Sequence, residues 1–266
     1  MECPQKHGFK YGLRLEPLFR PDSADSRDTG TLVHTGLAHF YGAQISPRPD
    51  WVEDPVSAVL KHAQQTGWMH LVQDSLVTVT EYVRVRTAKP VFTRIVAVED
   101  PCEVYVQTPD GKQHILTTRL DLVAHFNGRL CSINHKTSVR LTYAKPDRAA
   151  STRLQFMCEL VLARTKYPQL QHVVINPLQT NRNRDGPEIG DPQVVDISPH
   201  AYHRFGRDLQ FWKGLIAAVQ TMYPNPLDRP RSLQCVTRYG VCEFHPICSV
   251  GYERLSAYRK STNFGA

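Results

Sequence analysis

The dipeptide Asn127–Gly128 is the feature of this sequence that most restricts its fold, because apolar segments flank it on both sides. A two-residue type I′ turn needs a positive φ at both central positions, and Asn-Gly adopts that geometry readily. If the turn closes a β-hairpin, Phe126 faces Arg129 across the two strands. Counting back from that pair places Asp121 directly opposite Asn134.

The predicted hairpin gathers three complementary side chains on one face of the sheet. The Cβ atoms of Asp121 and Asn134 would lie about 4.5–5.5 Å apart, and Lys136 projects from the same face of its strand. Hard divalent cations take oxygen ligands, and a neighbouring ammonium can orient or activate a nucleophile. The pattern is therefore typical of metal-assisted phosphodiester hydrolysis. The other interpretation is a surface hairpin with a single Asp–Lys contact.

The spacing of apolar residues around this hairpin predicts an α/β fold. Spacings of three and four residues indicate helices, and short Val-, Ile- and Leu-rich segments bounded by turns indicate strands. The predicted strands are 94–106, 113–126, 129–138 and 171–175. The first predicted helix begins at Thr31, and the third covers the seventies and eighties of the sequence. The other predicted helices are 55–67, 149–165 and 200–222. The polar stretches 20–28 and 178–199 are predicted to be loops. This order of elements is that of an α/β core with helical additions.

Composition narrows the class of protein further. The chain has 266 residues, of which 41% are hydrophobic and 21% are charged, as in an ordinary globular protein. No run of about 18 apolar residues is present, which argues against a membrane-spanning helix. The N-terminal segment lacks the apolar core of a signal peptide, so we expect a cytoplasmic protein whose seven cysteines are not structural disulfides.

The net charge of +7 permits a nucleic-acid partner. The basic residues of 140–153 and 203–231 could line a DNA path, or they could form a solvated face. Phe211, Trp212 and Tyr223 recur at helical spacing, and we expect them to pack in the core rather than to stack on bases.

Two segments of the hairpin resemble the motifs of a known enzyme family. Arg119-Leu-Asp121-Leu-Val and, on the next strand, Ile133-Asn-His-Lys136-Thr-Ser resemble the core of PD-(D/E)XK nucleases of the RecB-like, AddB-type exonuclease group. Upstream, Gly30-Thr-Leu-Val-His34 is similar to the first motif of that group, and Gln155 is similar to its helical glutamine. The resemblance implies a restriction-endonuclease-like core, in which helices flank a mixed central sheet.

The same resemblance implies a set of roles. His34, Asp121 and Asn134 would hold Mg²⁺ or Mn²⁺, and Asp121 and Asn134 would be catalytic through that metal. Lys136 would position or activate the attacking water, and Gln155 would support the substrate.

Two positions depart from the pattern of the family. The second acidic residue of the motif falls on Asn134, whose amide oxygen can bind a metal but carries no charge. Three interpretations stay open: a tolerated variation, a naturally inactive relative, or an Asp-to-Asn substitution that traps an inactive form. Glu99, on the preceding predicted strand, is a candidate stand-in for the missing carboxylate. The aromatic residue that usually follows the glutamine by four positions is Glu159 here.

Cysteines at both ends of the chain resemble those of iron–sulfur members of the group. The matching residues are Cys3, Cys235, Cys242 and Cys248. The resemblance implies a [4Fe–4S] cluster held by four thiolates, in a subdomain of residues 1–20 and 230–250 within a single nuclease domain of residues 1–266. Zinc, with His245 as a further ligand, is the second choice. The other cysteines are expected to pack as small apolar residues in the core; they are Cys102, Cys131 and Cys158.

We therefore expect a Mg²⁺- or Mn²⁺-dependent DNA exonuclease that acts on ends or single strands in recombination, repair or phage DNA processing. Its location would be the cytosol of a bacterium or a phage-infected host, with a helicase or recombination protein as a partner. The alternatives are a catalytically inactive DNA-binding or scaffolding relative and a non-nuclease zinc protein.

Overall fold

The computed structural model describes residues 14–17, 23–45, 54–107, 113–141, 154–180 and 186–225, with short stretches at 236–237, 240–241, 244, 248, 256 and 258–260. By its internal contacts the chain divides into two compact units. The larger comprises residues 26–206, and the smaller comprises residues 1–25 and 207–266. Among the described residues, no helix combines the length and the apolar character needed to cross a bilayer.

The elements are numbered in chain order. The helices are α1 (Ser23–Ile45), α2 (Pro55–Thr66), α3 (Val72–Ala88), α4 (Leu154–Lys166) and α5 (Pro199–Met222), with a 3₁₀ turn at Met69–Leu71. The strands are β1 (Leu15–Pro17), β2 (Phe92–Gln107), β3 (Gln113–Phe126), β4 (Arg129–Ser138), β5 (His172–Gln179), β6 (Glu188–Ile189), β7 (Gln193–Val195), β8 (Val236–Thr237), β9 (Gly240–Val241) and β10 (Tyr258–Lys260).

A mixed sheet lies at the centre of the larger unit. Its strands follow the order β2-β3-β4-β5-β6, and β7 also pairs with β5. The β3–β4 hairpin has the predicted register, because Phe126 pairs with Arg129 and the ladder continues to Leu122 and Ile133. Asn127 and Gly128 have φ values of 50° and 75°, as a type I′ turn requires. Strands β4 and β5 are parallel, so the predicted mixed α/β sheet is confirmed.

Helices cover both faces of this sheet, because alternate strand residues enter two separate apolar clusters. One cluster joins α1, α2 and α3 to Leu122, Ile133 and Val174. The other joins α4 to Val123 and Val173 on the opposite face. Full burial of a side chain of this size contributes about 1.5–3 kcal/mol. The sheet is therefore held from both sides, and the ends of β2, β3 and β4 are fixed relative to α1 and α4.

Helix α1 begins earlier than the sequence predicts. The polar stretch 20–28 was expected to be a loop, yet the helix begins at Ser23. Its hydroxyl groups bond within the helix: Thr31 Oγ1 donates to the carbonyl of Arg27, and Thr35 Oγ1 donates to the carbonyl of Thr31. Asp28 is also buried. Polar residues in this part of the chain therefore belong to a helix, in which their side chains form hydrogen bonds, and not to a loop.

The stretch 178–199 is not the continuous loop that was predicted. Strand β5 continues to Gln179, and β6 and β7 follow within the stretch. Asn176 and Pro177 interrupt the apolar pattern, but they pair with His135 and Lys136 in the parallel ladder. Tertiary pairing therefore extends the strand beyond its apolar segment.

The predicted core packing of the aromatic residues in and directly after α5 is wrong for two of them. Phe211 is 63% exposed and Tyr223 is 36% exposed. The predicted burial of the three core cysteines agrees better with the structure. Cys102 and Cys131 are buried, and Cys158 is half-buried.

The described residues of the smaller unit include two short antiparallel pairs of strands. Strand β1 pairs with β10, and β8 pairs with β9. The rings of Phe244 and Tyr258 stack with their centroids 5.7 Å apart, and Cys248 is buried. Cys3, Cys235 and Cys242 lie outside the described residues. The extents of the predicted single domain and of its iron–sulfur subdomain stay predictions.

Candidate metal centre

The site begins where strands β3 and β4 stop pairing. Their ladder ends at Leu122 and Ile133, and at the next position the side chain of Asp121 replaces the backbone as the acceptor. Asp121 Oδ2 accepts a hydrogen bond from the backbone N–H of His135 at 2.8 Å. The carboxylate is therefore held between two strands by the backbone of β4.

Glu99 enters the site from the opposite side of β3. Its neighbours in β2 pair with Leu122 and Leu120, so the register places Glu99 across from Asp121. Glu99 has a φ of +48°, a value that is uncommon for any residue other than glycine. Such backbone conformations persist only where the surrounding structure enforces them, and they concentrate at functional sites.

His34 completes a cluster of three donors. Ligand atoms of His34, Glu99 and Asp121 all lie within 4.8 Å of one another, and His34 Nδ1 is 3.5 Å from Asp121 Oδ1. His34 reaches this place because Leu32, Val33 and Leu37 fix the buried face of α1 against the sheet. One helix and two strands thus contribute one donor each.

The backbone of His135 sets the tautomer of His34. His34 Nε2 lies 3.0 Å from the carbonyl oxygen of His135, and a carbonyl can only accept, so Nε2 carries a proton. Nδ1 is the nitrogen that faces Asp121. An outer hydrogen bond of this kind orients an imidazole for metal binding through its other nitrogen.

The charges of the cluster are strongly coupled. Burial opposes ionisation of Asp121, but the charge of His34 and the hydrogen bonds from His34 and His135 hold the pKa of Asp121 at about 2. Burial would lower the pKa of His34, yet the charge of Asp121 and its hydrogen bond outweigh burial and raise that pKa.

The pKa of Glu99 is shifted in the opposite direction to that of Asp121. Burial raises the pKa of Glu99, although Arg119, whose Nε is 2.7 Å from Glu99 Oε2, acts to lower it. The charge of Asp121 raises it further. Two carboxyl groups that disfavour each other's charge are suited to share a cation.

Asn134 lies on the next strand, beside a second buried acid. Its side chain is only 7% exposed, and Nδ2 donates to Glu159 Oε2 at 2.9 Å. Ser132 Oγ donates to the other oxygen of Glu159, and burial raises the pKa of Glu159 to about 7.

The oxygen of Asn134 supports the presence of a cation. Asn134 Oδ1 is buried and has no hydrogen-bond partner among the described residues. The cluster of His34, Glu99 and Asp121 supplies two carboxylates and one imidazole nitrogen, donors that Mg²⁺ or Mn²⁺ accepts, and an amide oxygen is a further donor of the same kind. The residues therefore fit the divalent metal that the sequence implies.

Lys136 and Gln155 form the remaining part of the predicted site. Lys136 Nζ lies 3.4 Å from Gln155 Oε1 and 5.7 Å from the centroid of the Phe156 ring. Gln155 and Phe156 are the second and third residues of α4, so the start of this helix places both beside β4.

The side chain of His135 has a structural role in the core. Its ring is buried, and Nδ1 accepts a hydrogen bond from Asn176 Nδ2 at 2.8 Å. The ring of Tyr41 stacks on that of His135 with the centroids 6.0 Å apart. The Tyr82 hydroxyl accepts a hydrogen bond from Asn176 Nδ2 and shares a second one with the Tyr41 hydroxyl. Burial lowers the pKa of His135 to about 3, so the ring is neutral. The backbone of His135 serves the site, and its side chain anchors that backbone in the core.

The structure brings His34 and Asp121 together as expected, and it gives Glu99 the place suggested for a stand-in carboxylate. The contact between Asn134 and Glu159 was not anticipated. A signal for it exists: Glu159 lies four residues after Gln155, on the same face of α4. A helix face that supplies Gln155 to Lys136 also directs Glu159 toward β4.

Comparison with known proteins identifies the family of the chain. The chain belongs to the PD-(D/E)XK nuclease superfamily, whose family model matches residues 1–249. Among solved structures, the crystal structure of SSO0001 is similar over 93% of this chain and 95% of that chain, with 14% sequence identity and a TM-score of 0.37. No curated protein matches the chain. Membership of this superfamily implies metal-dependent nuclease activity, with DNA as substrate and a divalent metal as cofactor.

Proposed function

We propose that this protein is a Mg²⁺- or Mn²⁺-dependent DNA exonuclease. The observation that carries the proposal is the cluster of His34, Glu99 and Asp121, whose donor atoms lie within 4.8 Å of one another. Asn134 and Lys136 follow on the adjacent strand. This arrangement supports metal-assisted hydrolysis of a phosphodiester bond.

Each residue then has a distinct task. His34 Nδ1, the carboxylates of Glu99 and Asp121 and the amide oxygen of Asn134 would hold the cation. A bound divalent cation lowers the pKa of a coordinated water and offsets the charge that develops on the phosphate. Lys136 donates from its ammonium to the attacking water or to a phosphate oxygen and so orients the nucleophile.

Gln155 is placed to restrain Lys136 and to contact the substrate. Its Oε1 accepts from Lys136 Nζ, and the residue is exposed at the start of α4. A 3.4 Å separation is long for a hydrogen bond. The contact with Gln155 is therefore a weak restraint on Lys136.

The finer assignments extend this proposal. We propose action on DNA ends or single strands during recombination, repair or phage DNA processing, in the cytosol and together with a helicase or recombination protein. The net charge of +7 supports a polyanionic substrate.

We also propose a [4Fe–4S] cluster on Cys3, Cys235, Cys242 and Cys248. Two observations support it: Cys248 is buried, and both ends of the chain contribute to the smaller unit. The alternative is a zinc ion bound by the same cysteines. Visible absorption, with iron and acid-labile sulfide content of the purified protein, distinguishes the two, since a zinc protein is colourless.

The experiment compares cleavage of end-labelled linear DNA with that of covalently closed circular DNA, with Mg²⁺, with Mn²⁺ and after chelation. We expect metal-dependent loss of the linear substrate only. Lys136→Met should lower kcat by roughly 10²–10⁴-fold, whereas Lys89→Met, which removes an exposed lysine at the end of α3, should leave it unchanged. Cleavage that does not depend on Lys136 would exclude this site.

The inactive alternative is favoured by one observation, the uncharged Asn134 in place of an acid. It predicts salt-sensitive DNA binding with no cleavage in either metal. Cleavage of closed circular DNA would instead indicate an endonuclease.

A further inference from the structure

Glu159 is a buried acid that the proposed mechanism does not use. It lies on α4, 3% exposed, and both of its carboxylate oxygens accept hydrogen bonds from β4. Ser132 Oγ donates to Oε1, and Asn134 Nδ2 donates to Oε2 at 2.9 Å. Burying a carboxylate is costly unless donors meet its oxygens. The three side chains therefore form one satisfied unit.

This unit determines which way the amide of Asn134 points. A carboxylate accepts hydrogen bonds, and only the NH₂ end of an amide donates them. Glu159 thus selects Nδ2 and leaves Oδ1 at the other end of the amide. Asn134 Oδ1 is buried and has no hydrogen-bond partner in the part of the chain that the structure describes. An unpaired buried acceptor is unfavourable, and a cation would satisfy it.

The pair also explains why an amide suits position 134. An aspartate there would face Glu159 across the same short distance, and two buried carboxylates in contact cannot both be ionised at low cost. Asparagine has the same shape, supplies the donor that Glu159 needs and keeps one oxygen for a metal.

We propose that Glu159 is a positioning residue, which fixes the Asn134 amide so that Oδ1 is presented to the divalent cation. The inference rests on the proposed function, since the cation is that of the candidate metal centre. Glu159 itself contacts neither metal nor substrate. It acts only through Asn134.

The test is calorimetric titration of the full-length protein with Mn²⁺, in wild type and four variants. Glu159→Gln removes the preference for Nδ2, because a glutamine can donate as well as accept. We expect Mn²⁺ affinity to fall about 10-fold, the lower end of the effect of losing such an outer partner. Ser132→Ala is the matched control, since it removes the other donor to Glu159 and leaves the Asn134 contact. It should leave Mn²⁺ affinity nearly unchanged.

The remaining variants separate positioning from a simple loss of negative charge. With Asn134→Asp as background, Glu159→Gln supplies a donor to the new carboxylate and removes the clash. Positioning therefore predicts that Glu159→Gln weakens Mn²⁺ binding when Asn134 is present and strengthens it in the Asn134→Asp background. A charge effect alone predicts weakening in both backgrounds, and that result would overturn the proposal.

A second measurement needs no substitution at Glu159. Addition of Mg²⁺ to the isotopically labelled wild-type protein should shift the side-chain carbonyl ¹³C resonance of Asn134. An unmoved resonance at saturating Mg²⁺ contradicts the role of Oδ1. DNA cleavage is measured separately. If the protein cleaves DNA but Glu159→Gln does not have opposite effects on Mn²⁺ binding in the wild-type and Asn134→Asp backgrounds, this inference alone is refuted. If the opposite effects are seen without cleavage, the proposed nuclease function alone is refuted.

Discussion

Gly36 is a point where helix α1 approaches α2 and α3 closely, and replacing it by alanine tests how the His34 helix is held. A Cβ at this position would lie 2.7 and 2.8 Å from the two methyl carbons of Val79 and 3.0 Å from Val59 Cγ2. Carbon atoms pack best at about 3.5–4.0 Å. Val59 and Val79 are themselves completely buried, so they cannot turn away without a shift of α2 or α3.

Two opposing effects set the magnitude. Overpacking of a tight core costs about 1–3 kcal/mol, while alanine in place of glycine within a helix contributes about 1 kcal/mol. Because three contacts with rigid β-branched side chains are affected, we expect the upper part of that range and a net loss of about 1–2 kcal/mol. For a unit of this size that lowers Tm by roughly 2–8 °C. His34, two residues before Gly36, should also bind Mn²⁺ more weakly.

The assay is thermal and denaturant unfolding of Gly36→Ala beside a matched variant, Gly206→Ala. Gly206 lies in helix α5, and a Cβ there would meet nothing within 4 Å, so alanine should stabilise it by up to about 1 kcal/mol. Val79→Ala combined with Gly36→Ala should recover part of the loss, with a coupling of about 0.5–3 kcal/mol. A Gly36→Ala protein as stable as the wild type would refute the close approach of α1 to α2 and α3.

Further predictions concern the capping and the buried polar contacts of the larger unit. Asp54 caps α2 by accepting from the N–H groups of Val56 and Ser57, so Asp54→Ala should cost about 1 kcal/mol in an unfolding titration. The side-chain hydrogen bond from Ser57 lowers the pKa of Asp54 below its ordinary 3.8. The stabilisation by the cap is therefore complete above pH 3.8 and is lost as the pH falls through the lowered pKa. A loss of unfolding free energy in Asp54→Ala that is the same at about pH 2.5 and about pH 6 would contradict this. Tyr82→Phe removes the bonds to the Tyr41 hydroxyl and to Asn176 Nδ2, and we expect a loss of about 1–3 kcal/mol, with an unchanged unfolding midpoint as the contrary result.

The hairpin was predictable from sequence because a local rule determines it. Asn127 and Gly128 fix the turn, and the turn fixes the register from Phe126 and Arg129 to Leu122 and Ile133, the pair next to Asp121 and Asn134. Parts of the chain governed by this kind of short-range geometry need no knowledge of the rest of the fold. The position of Lys136 follows from the same strand period.

Contacts between residues far apart in the sequence were harder to predict. The bond between Asn134 and Glu159 joins residues 25 apart, and its existence depends on how α4 packs on the sheet. Asn176 looked like the end of a strand, yet it is buried because Tyr82 and His135 satisfy its amide. In both cases a polar side chain is buried because a side chain from another element satisfies it.

Apolar character was misleading in the opposite sense. Phe211 was expected in the core from its spacing along α5, yet it is 63% exposed. Periodicity shows that a helix has an apolar face, but it does not show that another element covers that face. The site was therefore predicted best where backbone geometry decided it, and least where packing between elements did.

The central claim is that His34, Glu99 and Asp121 bind a divalent cation. The most direct measurement is anomalous diffraction from a crystal of the wild-type protein soaked in Mn²⁺. We expect a peak within coordinating distance of His34 Nδ1 and of both carboxylates, and no such peak in an Asp121→Asn crystal soaked in the same way. A fully soaked wild-type crystal without a peak at these three side chains would contradict it.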